Sequence, residues 1–397
     1  MFHLGDISKI SGYTAPVVDC IVGGSPCQDL SIAGKRAGLD GERSGLFMEQ
    51  VRIVKEMRDR DVRDNGRSGV DVRPRHLVWE NVPGALSSGK PRGEDFRIVL
   101  EEIARIKDKD AVIPRPKKGK WSKSGCIMGR GYSISWRVLD AQFWGVPQRR
   151  RRIALVADFG GESAPEILFV RQGSSGNTQP SQPYEKEASS DVTRGIGAEF
   201  RVIGCDVYNM TLTGDKVCAL TAQGYTSTGT CPKVIQPVYA IDQGGGKSQC
   251  NITEGQSPTL TCTHGGEPVV CYNNSENVTH TRSILRRLTP LECERLQGYP
   301  DGWTDIGEWT DSNGKTKKSS DTARYKALGN SIALHPWKWV MKRLCACYER
   351  DATLASLFDG IGGFPYIWEQ INGKGSCLWA SEIEEFPIAV TKVRIGE

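Results

Sequence analysis

The sequence predicts an α/β protein, a Rossmann-like and mostly parallel sheet with helices on both faces, joined to a smaller domain of short strands and loops. Three observations lead there. Short β-branched runs at 17–22, 76–79 and 153–157 alternate with segments of helical spacing at 45–59 and 94–107. Near the other end, an apolar run at 354–357 enters the glycine-rich loop 358–363 and a helical stretch at 364–371. A second apolar run then ends at Glu382. An acid about twenty residues beyond such a loop is the Rossmann spacing for holding a ribose diol. Between these blocks, from Glu162 to about Ser283, the chain turns rich in Gly, Ser, Thr, Asn and Gln and shows no convincing helix.

Taken in order, the chain opens on Phe2-His3-Leu4-Gly5-Asp6-Ile7 with no helix start before it, as though in mid-fold. The first strand, 17–22, is closed by a turn at Gly23-Gly24. Residues 33–43 read as a mobile loop, 45–59 as a helix with Leu46, Phe47, Val51, Ile53, Val54 and Met57 on its packed side, and 58–75 as a polar linker. A strand at 76–79 leads into Glu80-Asn81-Val82-Pro83-Gly84. Helix 94–107, the basic loop 114–123 and a strand at 132–139 follow, and Val146-Pro147 turns the chain into the arginine-rich strand that ends at Asp158-Phe159. In the middle segment, residues 171–199 are expected as flexible linker, whereas 234–241 and 267–272 favour short strands. The pairs Leu212-Thr213, Leu220-Thr221 and Leu260-Thr261 form a weak internal repeat. Order returns at Thr289, an N-cap with Pro290 at the first helical position, Glu292 completing a capping box and Gly298 ending the helix. Asn330 or Ser331 is expected to cap a further helix reaching about Tyr348.

Composition narrows the class. The 397 residues, 38% of them hydrophobic, allow two or three domains. No apolar run approaches a membrane span and no secretory signal opens the chain, so a soluble, cytoplasmic protein is expected. Thirteen cysteines, an odd number without a Cys-x-x-Cys pair, fit a reducing compartment. Cys345-x-Cys347 is too short a spacing for zinc, and no metal is expected. A net charge of +5 is mild, but it is clustered at Lys117-Lys118-Gly119-Lys120, at Arg149–Arg152 and at Arg286-Arg287.

Side chains at three strand ends carry the chemistry. Cys27 follows the first strand, and Pro26 stiffens its approach. A lone cysteine is more often a buried filler than a nucleophile. Here, however, Glu80 follows a second strand, and Arg150 and Arg152 flank a third. Thiol, carboxylate and guanidinium together make a covalent-catalysis set. With Pro26-Cys27-Gln28, Glu80-Asn81-Val82, Gln148-x-Arg150-x-Arg152 and Phe358-x-Gly360-x-Gly362, the chain resembles the cytosine-C5 DNA methyltransferase family. The resemblance implies a class I S-adenosylmethionine-dependent methyltransferase that rotates a cytosine out of duplex DNA. In that scheme Cys27 adds to C6, Glu80 holds N3 and the exocyclic amine, and Arg150 and Arg152 stabilise O2 and orient Glu80. It further implies cofactor contacts from Phe358, Asp359, Gly360, Ile361, Gly362 and Gly363, with Glu382 on the ribose and Ile383 on adenine. Asp6, Ile7, Pro26, Leu46, Asn330 and Ser331 complete that set.

The order of these hallmarks is unusual, because the glycine loop comes last. The chain therefore resembles a circular permutant, with Glu349-Arg350-Asp351-Ala352 as the new connection. The expected organisation is a catalytic part at 1–162, a target-recognition domain at 163–320, and the cofactor-binding remainder at 321–397, acting as a monomer on DNA. Two rival classes stay open: a tRNA cytosine-C5 methyltransferase and a non-catalytic DNA-binding regulator. A nicotinamide enzyme would share the glycine loop without needing Cys27, Glu80 and Arg150.

Overall fold

The computed structural model describes residues 1–25, 45–146, 148–170 and 281–396, with the backbone alone at 281–287. It adds the backbone of 203–206, 211–214, 217–218, 233–239 and 270–271. Cys27, Pro26, the loop at 33–43, Pro147, the linker at 171–199 and the pairs Leu220-Thr221 and Leu260-Thr261 lie outside the described residues.

The main sheet has eight strands: β1 (Phe2–His3), β2 (Cys20–Gly23), β3 (His76–Asn81), β4 (Ser124–Gly129), β5 (Tyr132–Asp140), β6 (Arg151–Asp158), β7 (Leu354–Leu357) and β8 (Cys377–Ser381). Their spatial order is β1-β8-β7-β2-β3-β6-β5-β4. The pairs from β1 through β3 are parallel, and those among β3, β6, β5 and β4 are antiparallel. Counted from β7, the five parallel strands lie in the order 3-2-1-4-5, the first part of the doubly wound dinucleotide-binding arrangement.

Period-two alternation divides the core in two. Cys20, Val22, Val78, Ala154 and Val156 face one way. There they meet α3 (Ser163–Leu168), α4 (Pro290–Gln297), α5 (Asp321–Asn330), α6 (Leu334–Cys345), α7 (Gly363–Asn372) and α8 (Glu385–Arg394). Ile21, Leu77, Trp79, Ile153, Leu155 and Ala157 face the other way, onto α1 (Gly45–Asn65) and α2 (Glu94–Ala104). Helices thus cover both faces, as expected. Beyond this core, the strands 203–206, 211–214, 233–239, 270–271 and 281–287 form a second, antiparallel sheet. The strand 217–218 pairs with 148–149, at the entrance to the arginine strand.

The structure corrects three local expectations. Helix α1 continues to Asn65, through residues read as linker. Its charged residues turn inward there: Arg58 donates to the carbonyls of Val72 and Pro74, and the Asp61 carboxylate accepts from the Arg73 N–H. The segment after Glu162 does contain a helix, α3, whose Ala164, Ile167 and Leu168 are buried. Finally, Asn330 and Ser331 begin no helix. Asn330 ends α5, which Ser320 caps at its other end, and Ser331 is its extended C-cap, while α6 starts at Leu334. The interruption is stabilised from outside the helices. Gln297 donates to the Leu328 carbonyl, and Arg150 donates to those of Gly329 and Ser331, so the carbonyls orphaned at a helix end are satisfied. The capping box at Thr289 forms as expected, with Gly298 left-handed at φ +83°.

Candidate active site

Parallel strands β2 and β3 bring Ser25 and Glu80 to the same end of the sheet. Ser25 is held directly by β3. The Ser25 hydroxyl accepts from the Trp79 indole (3.1 Å), and its carbonyl accepts from the Asn81 amide (3.4 Å). Glu80 lies beside Gly24: a Cβ built on Gly24 would stand 2.8 Å from Glu80 Oε2. Gly23 is the last residue of β2 rather than part of a turn, and both glycines make room for side chains of neighbouring elements. Gly23 plays the same part toward Gln50, a buried glutamine on α1 whose amide donates to the Val78 carbonyl. A lone glutamine on the apolar face of α1 was the signal for this contact.

Antiparallel register supplies the cation. Glu80 stands opposite Ala154, so Arg152, two residues along β6, is its diagonal neighbour on the same face. The two pair at 2.8 Å, with side chains 14% and 21% exposed. The four consecutive arginines are thus assigned separately. Arg149 is exposed, Arg150 is buried against the Gly329 and Ser331 carbonyls, Arg151 pairs with Asp140 at 3.1 Å, and Arg152 pairs with Glu80.

At the adjoining ends of β7 and β8 the glycine loop is braced by Glu382. Its Oε2 accepts the Gly360 N–H at 2.8 Å, while Oε1 accepts those of Ile383 and Glu384 at 2.7 and 2.9 Å. Phe358 has a positive φ, and Gly360 and Gly362 share that conformation before α7 begins. Asp359 accepts from the Ser356 hydroxyl through Oδ1, but its Oδ2 is buried with no hydrogen-bond partner. Burial pushes its pKa up to about 8, and the nearby Glu382 carboxylate adds to the rise while the Ser356 hydrogen bond opposes it. Ile361 is buried, and Ile383 is 72% exposed beside Glu382. Gly363 packs under the Tyr299 hydroxyl, which is hydrogen-bonded to the Ser331 hydroxyl. Tyr299 and Ser331 thereby join the glycine loop to the helix junction that Arg150 holds, a link not evident in the sequence. Asp6 accepts from the Ser8 N–H and hydroxyl, Ile7 is buried, Leu46 is half-buried and Asn330 is exposed.

These features suit a ligand that combines a diol and an apolar ring. A carboxylate offers about four acceptor sites, and Glu382 uses three for backbone donors, leaving one free. The uncovered Ile383 side chain offers an apolar surface beside it.

The family model for C-5 cytosine-specific DNA methylase matches residues 1–106 and 127–345, and the chain belongs to that family of methyltransferases. It is 29% identical over 444 residues to the DNA N-6-adenine-methyltransferase of Escherichia phage P1, covering 88% of this chain and 56% of that protein. Type II methyltransferase M.BsuFI of Bacillus subtilis is 30% identical over 336 residues, covering 83% of this chain and 58% of the relative. For type II methyltransferase M.HhaI of Haemophilus parahaemolyticus the identity is 23%, covering 85% and 78%. The chain thus spans little more than half the length of the phage P1 relative. Among the described residues no helix is long and apolar enough to cross a membrane.

Proposed function

We propose that this chain is a DNA (cytosine-5-)-methyltransferase acting on a cytosine turned out of a specific duplex site. The Glu80–Arg152 pair against Gly24, three residues before Cys27, is the observation that carries the reading. Turning out one base costs a few kcal/mol, offset by contacts in the pocket. The Cys27 thiolate forms a bond to C6 while Glu80 engages N3 and the exocyclic amine, neutralising the ring as charge develops. Arg152 is a positioning residue that holds the Glu80 carboxylate, and Arg150 fixes the 329–331 junction. C5 gains the methyl group; loss of the C5 proton then returns the bonding pair to the ring and expels the Cys27 sulfur. S-adenosylmethionine supplies an electrophilic methyl group when bound. Asp6, Ile7, Pro26, Leu46, Asn330, Ser331, the 358–363 loop, Glu382 and Ile383 would hold it.

We further infer that the order of elements is a circular permutation. The 3-2-1-4-5 order counted from β7 supports this. Residues 1–162 and 321–397 then make up one catalytic unit and 163–320 the part that reads DNA. Helices α3 and α4, near the ends of that part, pack into the catalytic core. Double-stranded DNA is the partner, the enzyme acts as a monomer, and the setting is the cytoplasm of a bacterial or phage-infected cell.

The phage P1 relative's name raises adenine N6 as the competing target. An exocyclic amine attacks a methyl donor with its own lone pair and needs no thiol, so the Pro-Cys-Gln loop favours C5. Nucleoside analysis and bisulfite sequencing of DNA from a methylase-free host expressing the chain would decide. 5-Methylcytosine at one recurring site, lost in Cys27→Ser while DNA binding persists, is expected. N6-methyladenine, methylation confined to tRNA, or wild-type turnover by Cys27→Ser would overturn the reading.

A further inference from the structure

The family match breaks between residues 106 and 127, and the segment left out there is strongly basic. Residues 107–126 hold seven Lys and Arg against two Asp, a net charge of +5. The whole chain is also +5, so everything outside this insert sums to zero. Five of the cations, Arg115, Lys117, Lys118, Lys120 and Lys123, fall within nine residues that contain no acid, and all five are exposed.

The insert is a fixed platform. The Trp121 N–H donates to the Leu86 carbonyl at 3.0 Å and its indole to the Gly93 carbonyl at 2.8 Å, while its ring packs edge-on to Phe96 and Trp136. Gly119 and Gly93 meet backbone to backbone: a Cβ on Gly93 would stand 2.6 Å from the Gly119 carbonyl oxygen. The surface on which it sits, residues 86–93, continues directly from the Glu80-Asn81 end of β3 through the 3-10 turn Pro83–Ser87, and adds exposed Lys90 and Arg92. Arg115 leans on Glu94 at 3.7 Å, whereas among the described residues Lys117, Lys118 and Lys120 form no ion pair. A rigid, unneutralised array of cations next to the reacting strand fits a polyanion of regular charge spacing.

We propose that residues 107–126 form an added phosphate-binding platform that grips the backbone of duplex DNA without reading its sequence. This rests on the proposed DNA substrate, and the test separates the two. Lys117→Ala/Lys118→Ala/Lys120→Ala is compared with wild type by fluorescence anisotropy on a duplex carrying the methylated site and on a scrambled duplex, from 50 to 200 mM salt. Each phosphate contact contributes about 0.9 to the slope of log affinity against log salt. The triple variant is therefore expected to bind both duplexes more weakly, with a slope shallower by about 2.7. Across that salt range its affinity then falls about 40-fold less than that of the wild type. Its turnover at saturating DNA should be unchanged, and Lys→Arg at the three positions should restore binding. Lys342→Ala/Lys374→Ala/Lys392→Ala, an equal change of charge elsewhere, should leave the slope alone.

An unchanged slope in the first variant, an equal loss in the second, or a loss seen on folded RNA and not on DNA overturns the platform while leaving methylation intact. A wild-type chain that neither binds nor methylates duplex DNA overturns the proposed function and the platform with it.

Discussion

Replacing Gly24 by alanine tests whether the Glu80 carboxylate is held in one place for catalysis. The backbone at Gly24 lies outside the left-handed region, so alanine adopts it without strain. What changes is space: the new methyl carbon would lie 2.8 Å from Glu80 Oε2, about 0.6 Å inside the 3.4 Å at which ordinary contact begins. The yielding atom is the end of a flexible side chain, so folding suffers little. Alanine also stiffens the unfolded chain, which stabilises by about 0.4–1 kcal/mol. The Glu80 carboxylate must turn away, however, and its 2.8 Å pair with Arg152 must lengthen or rotate with it. A displacement near 1 Å costs about 100-fold in rate, so a 10- to 100-fold loss of kcat is expected with Tm nearly unchanged. Single-turnover transfer of a labelled methyl group to duplex DNA, beside a thermal melt, measures both. Because both changes act on one group, Gly24→Ala added to Glu80→Gln should lower the rate little further. Wild-type kcat from folded Gly24→Ala protein would refute the assignment of Gly24 as the wall behind Glu80.

Asp359 gives a pH-dependent prediction. Its carboxyl holds a proton up to about pH 8 in the folded protein but only to about 4 when unfolded. Its stabilising share is therefore complete below about pH 4 and is lost as pH rises through about 8, by at most about 1.4 kcal/mol per pH unit. Melting temperatures at pH 5, 7 and 9 should fall more steeply for the wild type than for Asp359→Asn, and parallel profiles would contradict the burial of a neutral acid. Asp19 and Arg350 give a stability prediction. The buried Asp19 carboxylate accepts from Arg350 at 2.6 and 2.8 Å and from the Thr353 N–H and hydroxyl at 2.7 and 2.9 Å. Asp19→Ala, which strips these donors of their acceptor, should cost about 3 kcal/mol in denaturant unfolding. Arg350→Ala should cost about 1 kcal/mol or less, because that guanidinium is half-exposed and Thr353 still serves Asp19. Equal costs would show that the ion pair, not the Thr353 bonds, holds the connection.

Features written in consecutive residues were legible in the sequence. The capping box at Thr289, the strand–glycine loop–helix run from Leu354 to Asn372 and the alternation of β3 all depend on near neighbours. Contacts across the sheet were not. Nothing local says that Gly24 faces Glu80, that Arg152 rather than any of its three neighbours meets that acid, or that Tyr299 covers Gly363; each depends on register between elements distant along the chain. Helix α1 was read short because its last turns bury Arg58 and Asp61, residues that composition assigns to solvent. The Gly-Asn-Ser junction was misread because its break is stabilised by Arg150 and Gln297 from elsewhere in the chain.

The position of β7 bears on how the molecule is made. It lies between β8 and β2, with β1 reached only through β8, so β1 joins the β2–β3 pair only after β7 and β8, made later, slide between them. A ribosome delivers β1, β2 and β3 more than 270 residues before Leu354 emerges, and for that interval β2 offers an unpaired, apolar edge. Closing the sheet across such separations costs loop entropy before any contact returns it, which slows folding and lengthens exposure to aggregation. Placing the glycine-loop strand late thus makes the protein dependent on holding its early strands apart from one another's copies until β7 and β8 have been made.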